Sequence, residues 1–165
     1  MSVGPEEVLC VEVAICENSR TPIMDAIREG LEGYSEAYLA SAFRTGPGLE
    51  PLMDQLTRFA QSKRHKVILV TGGYLDFTSA GALVGLQRLE TETNSQARSE
   101  RVRARMIRDM AAGGFHPKVY LFLGGGKALL LVGSANLTPS GIADNVEAVP
   151  YTHLRAHATV LALVC

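Results

Sequence analysis

Phe115-His116-Pro117-Lys118-Val119-Tyr120-Leu121-Phe122-Leu123 is followed by Gly124-Gly-Gly-Lys127, by Ala128-Leu-Leu-Leu-Val132 and by Gly133-Ser134-Ala135-Asn136-Leu137-Thr138. Two apolar runs, over 119–123 and 128–132, flank a glycine-rich tetrapeptide. That pattern predicts an antiparallel hairpin. His116 and Lys118 stand two apart at the start of the first strand, so their side chains share a face. Ser134 and Asn136 stand two apart at the end of the return strand. A hairpin of this length brings both pairs to one end of the sheet. An imidazole, an ammonium, a hydroxyl and an amide therefore converge.

Outward from the hairpin the chain alternates. Strands are predicted over 8–15, 38–43 and 67–71. Helices are predicted over 22–31, over 49–61 and from Thr78 or Ser79 to about residue 90. Residues 91–100 are polar and read as a loop. A fourth strand covers 102–107, Thr138-Pro139 reads as a helix cap with proline in the first turn, and a last strand covers 145–149. Helices and strands alternate early and strands cluster late. This predicts an α/β fold, a mixed β-sheet with helices on both faces.

The chain has 165 residues, which suits one domain. Hydrophobic residues make up 47% and charged residues 20%, which excludes a disordered, collagenous or coiled-coil chain. Sixteen Lys and Arg stand against 17 Asp and Glu, which excludes a wholly basic coat for nucleic acid but not a local basic patch. Three cysteines, Cys10, Cys16 and Cys165, cannot all pair. This argues against a disulfide framework and for a reducing, cytoplasmic setting. Cys10 and Cys16 read as core residues of the first strand. Neither a basic leader nor an apolar run of the ~20 residues that span a bilayer is evident, so no membrane partner is expected.

The domain is expected over 1–150. The string from Tyr151 to His157 resembles a translated sequencing adapter, so 151–165 is expected to be a non-native or unstructured tail, with the natural protein continuing past about residue 150. The alternative is a genuine C-terminal helix. His153 and His157 stand four apart, as metal ligands on a helix do, but no third ligand accompanies them.

The convergent groups suit phosphoryl transfer without a metal. A neutral imidazole can attack phosphorus. A lysine and an amide NH2 can hold non-bridging oxygens as charge builds. Glu147, in Asn145-Val146-Glu147, can accept the other ring N–H and fix the tautomer. Departure of the leaving group needs a second acid. One histidine and one distant glutamate are too few hard ligands for magnesium or calcium, so neither a metal nor a cofactor is expected. Singly, each residue has a plainer reading: His116 as a cap, Lys118 as a solvated strand residue, Gly133 to Asn136 as a turn.

His116-Pro-Lys118, Gly133-Ser134-Ala-Asn136 and Glu147 together resemble one copy of the H-x-K…G-S-x-N…E motif of the phospholipase D superfamily. The wording is closest to its nuclease-like branch, found in restriction endonucleases and helicase-associated domains. The resemblance covers roughly 35–149 and is specific over 115–147. It implies a phospholipase D-like fold and metal-independent phosphodiester hydrolysis through a phosphohistidine, with DNA as substrate. It implies His116 as nucleophile, Lys118 and Asn136 on the phosphate, Ser134 in support and Glu147 orienting His116. The family pattern has an aspartate five residues after the lysine. Leu123 stands there, which counts against phospholipase activity more than against phosphodiesterase activity. The family also needs two motifs facing each other, and this chain has one. His65-Lys66 has the wrong spacing, and His153-Leu-Arg155 lacks a G-S-x-N. Either a homodimer or a missing C-terminal half is expected to supply the second.

Arg101, Arg103 and Arg105 alternate with Val102, Ala104 and Met106, which puts three guanidinium groups on one strand face. From Arg98 to Lys127 there are seven basic and two acidic residues, a surplus that can meet a phosphate backbone. A charge-guarded edge strand explains the same pattern. Gly124 to Lys127 lacks phosphate-loop spacing and reads as a turn. Two other functions are compatible with these residues: a lipid or small-molecule phosphodiesterase, and a catalytically idle module for phosphate or DNA binding and dimerisation.

Overall fold

The central strands are apolar almost throughout, but burial alternates along β-strands 36–41, 66–72 and 118–124, and that alternation marks which face of the sheet is covered. A computed structural model describes residues 11–17, 22–42, 46–73, 78–107, 115–134, 136–138 and 148–155. The elements are β1 (Val11–Glu17), α1 (Pro22–Gly33), β2 (Glu36–Ser41), α2 (Gly46–Gln61), β3 (Lys66–Gly72), α3 (Ala80–Ala97), β4 (Val102–Ile107), β5 (Lys118–Gly124), β6 (Lys127–Val132) and β7 (Ala148–Arg155). They form a mixed α/β fold. Among the described residues the seven strands make one sheet in the order β1-β7-β6-β5-β2-β3-β4. β2, β3 and β4 are parallel. β5, β6, β7 and β1 run antiparallel to their neighbours.

The units β1-α1-β2, β2-α2-β3 and β3-α3-β4 all step the same way across the sheet. Right-handed crossovers stepping one way place their helices on one face, so the described helices α1, α2 and α3 cover one face of the sheet rather than both as expected. Burial agrees: Leu39, Leu69, Tyr120, Phe122, Leu129 and Leu131 are buried on that face, while Tyr38, Ile68, Leu121 and Leu130 between them are half-buried. Ile23, Ile27 and Leu31 of α1, Leu49, Leu52 and Leu56 of α2, and Leu86 and Leu89 of α3 complete the core at helical spacing. The helix expected after Thr138-Pro139 falls outside the described residues. Among the described residues no helix is long and apolar enough to cross a membrane.

The hairpin forms as its sequence predicts. Gly125 and Gly126 turn it with φ of +59° and +72°, a conformation that favours glycine at both positions of a two-residue loop. Three further expectations change. β1 runs to Glu17 rather than ending at residue 15. The stretch 91–97, expected as loop, continues α3 to Ala97, where Arg98 closes it in the left-handed region. Thr93 is buried there, so the polar stretch is a helix with one inward face. β7 starts at Ala148 and runs to Arg155, between β6 and β1. Residues 151–154 therefore pair on both sides and Arg155 with β6, so 151–155 are not an unstructured tail. Residues 156–165 lie outside the described ones.

β4 is an edge strand, and α3 closes its open side. Asn94 Nδ2 donates to Val102 O (2.8 Å), while Asn94 Oδ1 accepts from Arg101 N (2.8 Å) and Val102 N (2.9 Å). One turn earlier, Glu90 accepts from Ala104 N (3.2 Å). An edge whose polar groups are occupied cannot recruit another strand. Asn94→Ala strips three backbone groups of their partner and should destabilise the fold by about 1–3 kcal/mol. Thermal melting followed by circular dichroism should show a drop of several degrees. An unchanged melting temperature would mean that this seam contributes nothing to stability.

Candidate active site

Parallel strands that each feed a helix leave a crevice at their carboxyl ends. That end of this sheet is formed by the last residues of β2, β3, β4 and β6 and the first residue of β5. Lys118 opens β5 opposite Ser41, and Ser41 lies opposite Thr71. All three are buried on the helix-covered face, which makes a polar row in an otherwise apolar layer. Gly72 lets the chain leading into β5 come close: a Cβ there would lie 3.0 Å from Ala42 O and 3.1 Å from Phe115 O. His116 is thereby set at the crevice.

His116 and Lys118 do meet. Lys118 Nζ lies 2.6 Å from His116 Nδ1 and donates to His116 O at 3.2 Å. Lys118 is only 9% exposed, while His116 is exposed. A buried ammonium must give its protons to fixed acceptors. An ammonium has no lone pair, so Nδ1 is the acceptor and the proton of a neutral ring sits on Nε2. In this resting contact Nε2 is a donor. Attack through Nε2 requires Lys118 to let go of Nδ1.

The loop after β6 is fastened to the same spot. Gly133 N donates to Lys118 O (3.2 Å), continuing the ladder past the end of β6. Leu137 is fully buried, and its N–H donates to Ser41 Oγ (3.2 Å). Ser41 Oγ donates to Asn136 Oδ1 (3.4 Å), and Thr138 N donates to Asn136 O (2.9 Å). Asn136 is half-buried and Ser134 is exposed. Glu147 lies outside the described residues. β7 begins beside it at Ala148, paired with Glu17, the last residue of β1.

Sequence reasoning missed the floor of this crevice. Ser41 is fully buried. Thr78 Oγ1 donates to Gly72 O (2.7 Å), so the contact of 3.2 Å between the Thr71 and Thr78 hydroxyls has Thr71 as donor. The available signal was a hydroxyl residue at an inward position of each strand, Ser41 after Ala37 and Leu39, and Thr71 after Val67 and Leu69. A buried hydroxyl needs partners, and these are where the loops attach.

The arginines are spread along the edge rather than gathered at the crevice. Arg101, at the opposite end, donates to Gln61 O (3.1 Å), Ser62 O (3.4 Å) and Ser99 Oγ (3.2 Å). Arg103 grips both oxygens of Glu100 at 2.9 and 2.5 Å, and this hydrogen bond holds the Glu100 carboxyl below its usual range. Arg105 donates to Glu90 Oε1 (3.1 Å) and Ala104 O (2.6 Å). Arg103 and Arg105 are exposed on one face, as alternation predicts. His65, also at the far end, packs on the Phe59 ring with centroids 4.4 Å apart. Among the described residues no three His, Cys, Asp or Glu side chains cluster as a metal site would require.

No family model and no curated protein matches the sequence. Solved structures do match. Nuc from Salmonella typhimurium, a phospholipase D family member, is 13% identical over 88% of this chain and 83% of its own, with a TM-score of 0.61. NucT from Helicobacter pylori is 14% identical over 93% and 91%, with a TM-score of 0.59. The phosphatidylserine synthase of Haemophilus influenzae Rd KW20 is 18% identical over 98% of this chain but 38% of its own, with a TM-score of 0.61. The chain shares its fold with these structures, the first of them a phospholipase D family member.

The His116–Lys118 contact fixes an observable. Long-range 1H–15N spectra at a pH where His116 is neutral should show a bare Nδ1 and a protonated Nε2. Lys118→Met should shift the ring toward a mixture of tautomers. A ring protonated on Nδ1 in the wild type would show that the ammonium does not hold it.

Proposed function

We propose that this phospholipase D-like chain hydrolyses phosphodiesters without a metal, and that its substrate is DNA. The observation that carries this reading is the buried Lys118 ammonium against the exposed His116 ring, with Asn136 tied to the same floor. A phosphate oxygen arriving there competes for the ammonium. As Lys118 turns to it, Nδ1 is released; the ring gives up its Nε2 proton to solvent and takes one from solvent at Nδ1, and this Nδ1–H donates a hydrogen bond to an acceptor, the role assigned to Glu147. Nε2 then carries the lone pair that attacks phosphorus. The P–N bond forms as the P–O bond breaks, and a second histidine protonates the leaving oxygen. Water then cleaves the phosphohistidine. Lys118 and Asn136 hold the non-bridging oxygens, with Ser134 in support.

One motif supplies one histidine. The second acid comes from a second copy of the chain across a two-fold axis, or from a further segment of a longer protein. DNA is favoured by Arg103 and Arg105, whose exposed ion pairs exchange cheaply for phosphate contacts. The fold alone is shared with a phosphatidylserine synthase, so a lipid headgroup is the second reading.

His116→Asn keeps size and a hydrogen bond but cannot carry the phosphoryl group. With EDTA present throughout, wild type should nick DNA and leave phosphatidylcholine vesicles intact, and His116→Asn should lose cleavage while it still binds DNA. Lys118→Ala should lose binding as well as rate, the latter on the order of 100–1,000-fold. Normal turnover by His116→Asn, or cleavage that depends on magnesium, would overturn the mechanism. Arg103→Ala and Arg105→Ala should each lower the salt slope of DNA binding by roughly 0.9. Arg101→Ala should instead lower the melting temperature and leave the slope alone. An unchanged slope in all three would return the arginines to edge protection.

A further inference from the structure

Ser41 makes a side-chain link between β2 and the loop that carries Asn136, across 95 residues of sequence. It is fully buried, so its hydroxyl does not meet substrate. Its oxygen accepts the Leu137 N–H, and its proton goes to Asn136 Oδ1. The two ends of an asparagine amide are nearly alike in shape and opposite in polarity, one accepting and one donating. A phosphate oxygen is served only by the donating end. An amide whose oxygen loses its donor is less strongly bound to one of the two orientations. We propose that Ser41 is a positioning residue that decides which end of Asn136 faces the phosphate. By engaging Oδ1 from below, it sets Nδ2 on the other branch. Its register opposite Lys118 puts the two phosphate donors on neighbouring supports, one the first residue of β5, the other hung from the last residue of β2. The Leu137 N–H, held by the same oxygen, keeps the loop from sliding while the amide is held.

This inference rests on the phosphate-binding role of Asn136 argued above, and its test separates the two. Inorganic phosphate is titrated into 15N-labelled protein while the Asn136 side-chain NH2 resonances are followed. Wild type should show a saturable shift of these signals. Ser41→Ala, or Ser41→Cys if alanine does not fold, should weaken the response, and Ser41→Thr should restore it. A double-mutant cycle on bis(p-nitrophenyl) phosphate adds the kinetic reading. Ser41→Ala should cost on the order of tenfold in kcat/KM, as a slightly misplaced ligand does. In an Asn136→Ala background the same change should cost less than about twofold, because the group it acts through is gone. Equal costs in both backgrounds, or an undiminished NH2 response in Ser41→Ala and Ser41→Cys, would overturn the positioning role. Absence of cleavage by wild type would count against the phosphodiesterase reading, and the titration would still decide Ser41.

Discussion

A buried ammonium on the first residue of a strand constrains everything around it. Lys118 lies under helices and beside apolar neighbours, where an unpaired charge costs several kcal/mol. Its protons go to His116 Nδ1 and to the His116 carbonyl, both two residues back in the chain. This arrangement needs the segment before β5 to curl over the end of the sheet. Gly72 leaves room for it, and the loop after β6 lies alongside, fastened through the Lys118 carbonyl. The backbone of Lys118 and its side chain thus organise opposite sides of one crevice.

The sheet order explains why these groups meet at one end. β2, β3 and β4 run parallel, so their carboxyl ends and the starts of α2 and α3 share that end. Helix N-termini carry partial positive charge and favour an anion nearby. β5 enters from that end and β6 returns to it, which adds the His116–Lys118 pair and the Asn136 loop. The opposite end holds Arg101, His65 and Lys66 and performs a different task, joining the end of α2 to the start of β4. Charge at that end closes the fold, and at the crevice end Lys118 holds its charge against His116.

Much of this was legible in local pattern. The hairpin was readable because two apolar runs around paired glycines are a local property, and the strand over 102–107 because charged and apolar residues alternate there. The meeting of His116 and Lys118 followed from their two-residue spacing. The end of α3 was not readable. Residues 91–97 look like a loop because nearly every side chain is polar, yet Thr93 faces inward and Asn94 spends its amide on β4. β7 was obscured differently: Tyr151 to Arg155 carries a string that drew attention as a foreign tail, while its pairing depends on β1, more than 130 residues away.

Ser41 shows where such reading stops. It belongs to no motif, and a serine among Ala37, Leu39 and Ala42 looks like a small residue tolerated in a strand. Its meaning depends on Leu137 and Asn136, which come adjacent only after β5 pairs with β2. Inward position was the one available clue, since a hydroxyl buried in an apolar layer is stabilised only by partners from elsewhere in the chain. Thr71 gives the same clue one strand over, and its partner Thr78 precedes the cap of α3. The two hydroxyls mark where loops are moored to the sheet. A motif names the groups that can touch a phosphate, whereas buried polar residues between strands decide how those groups are held.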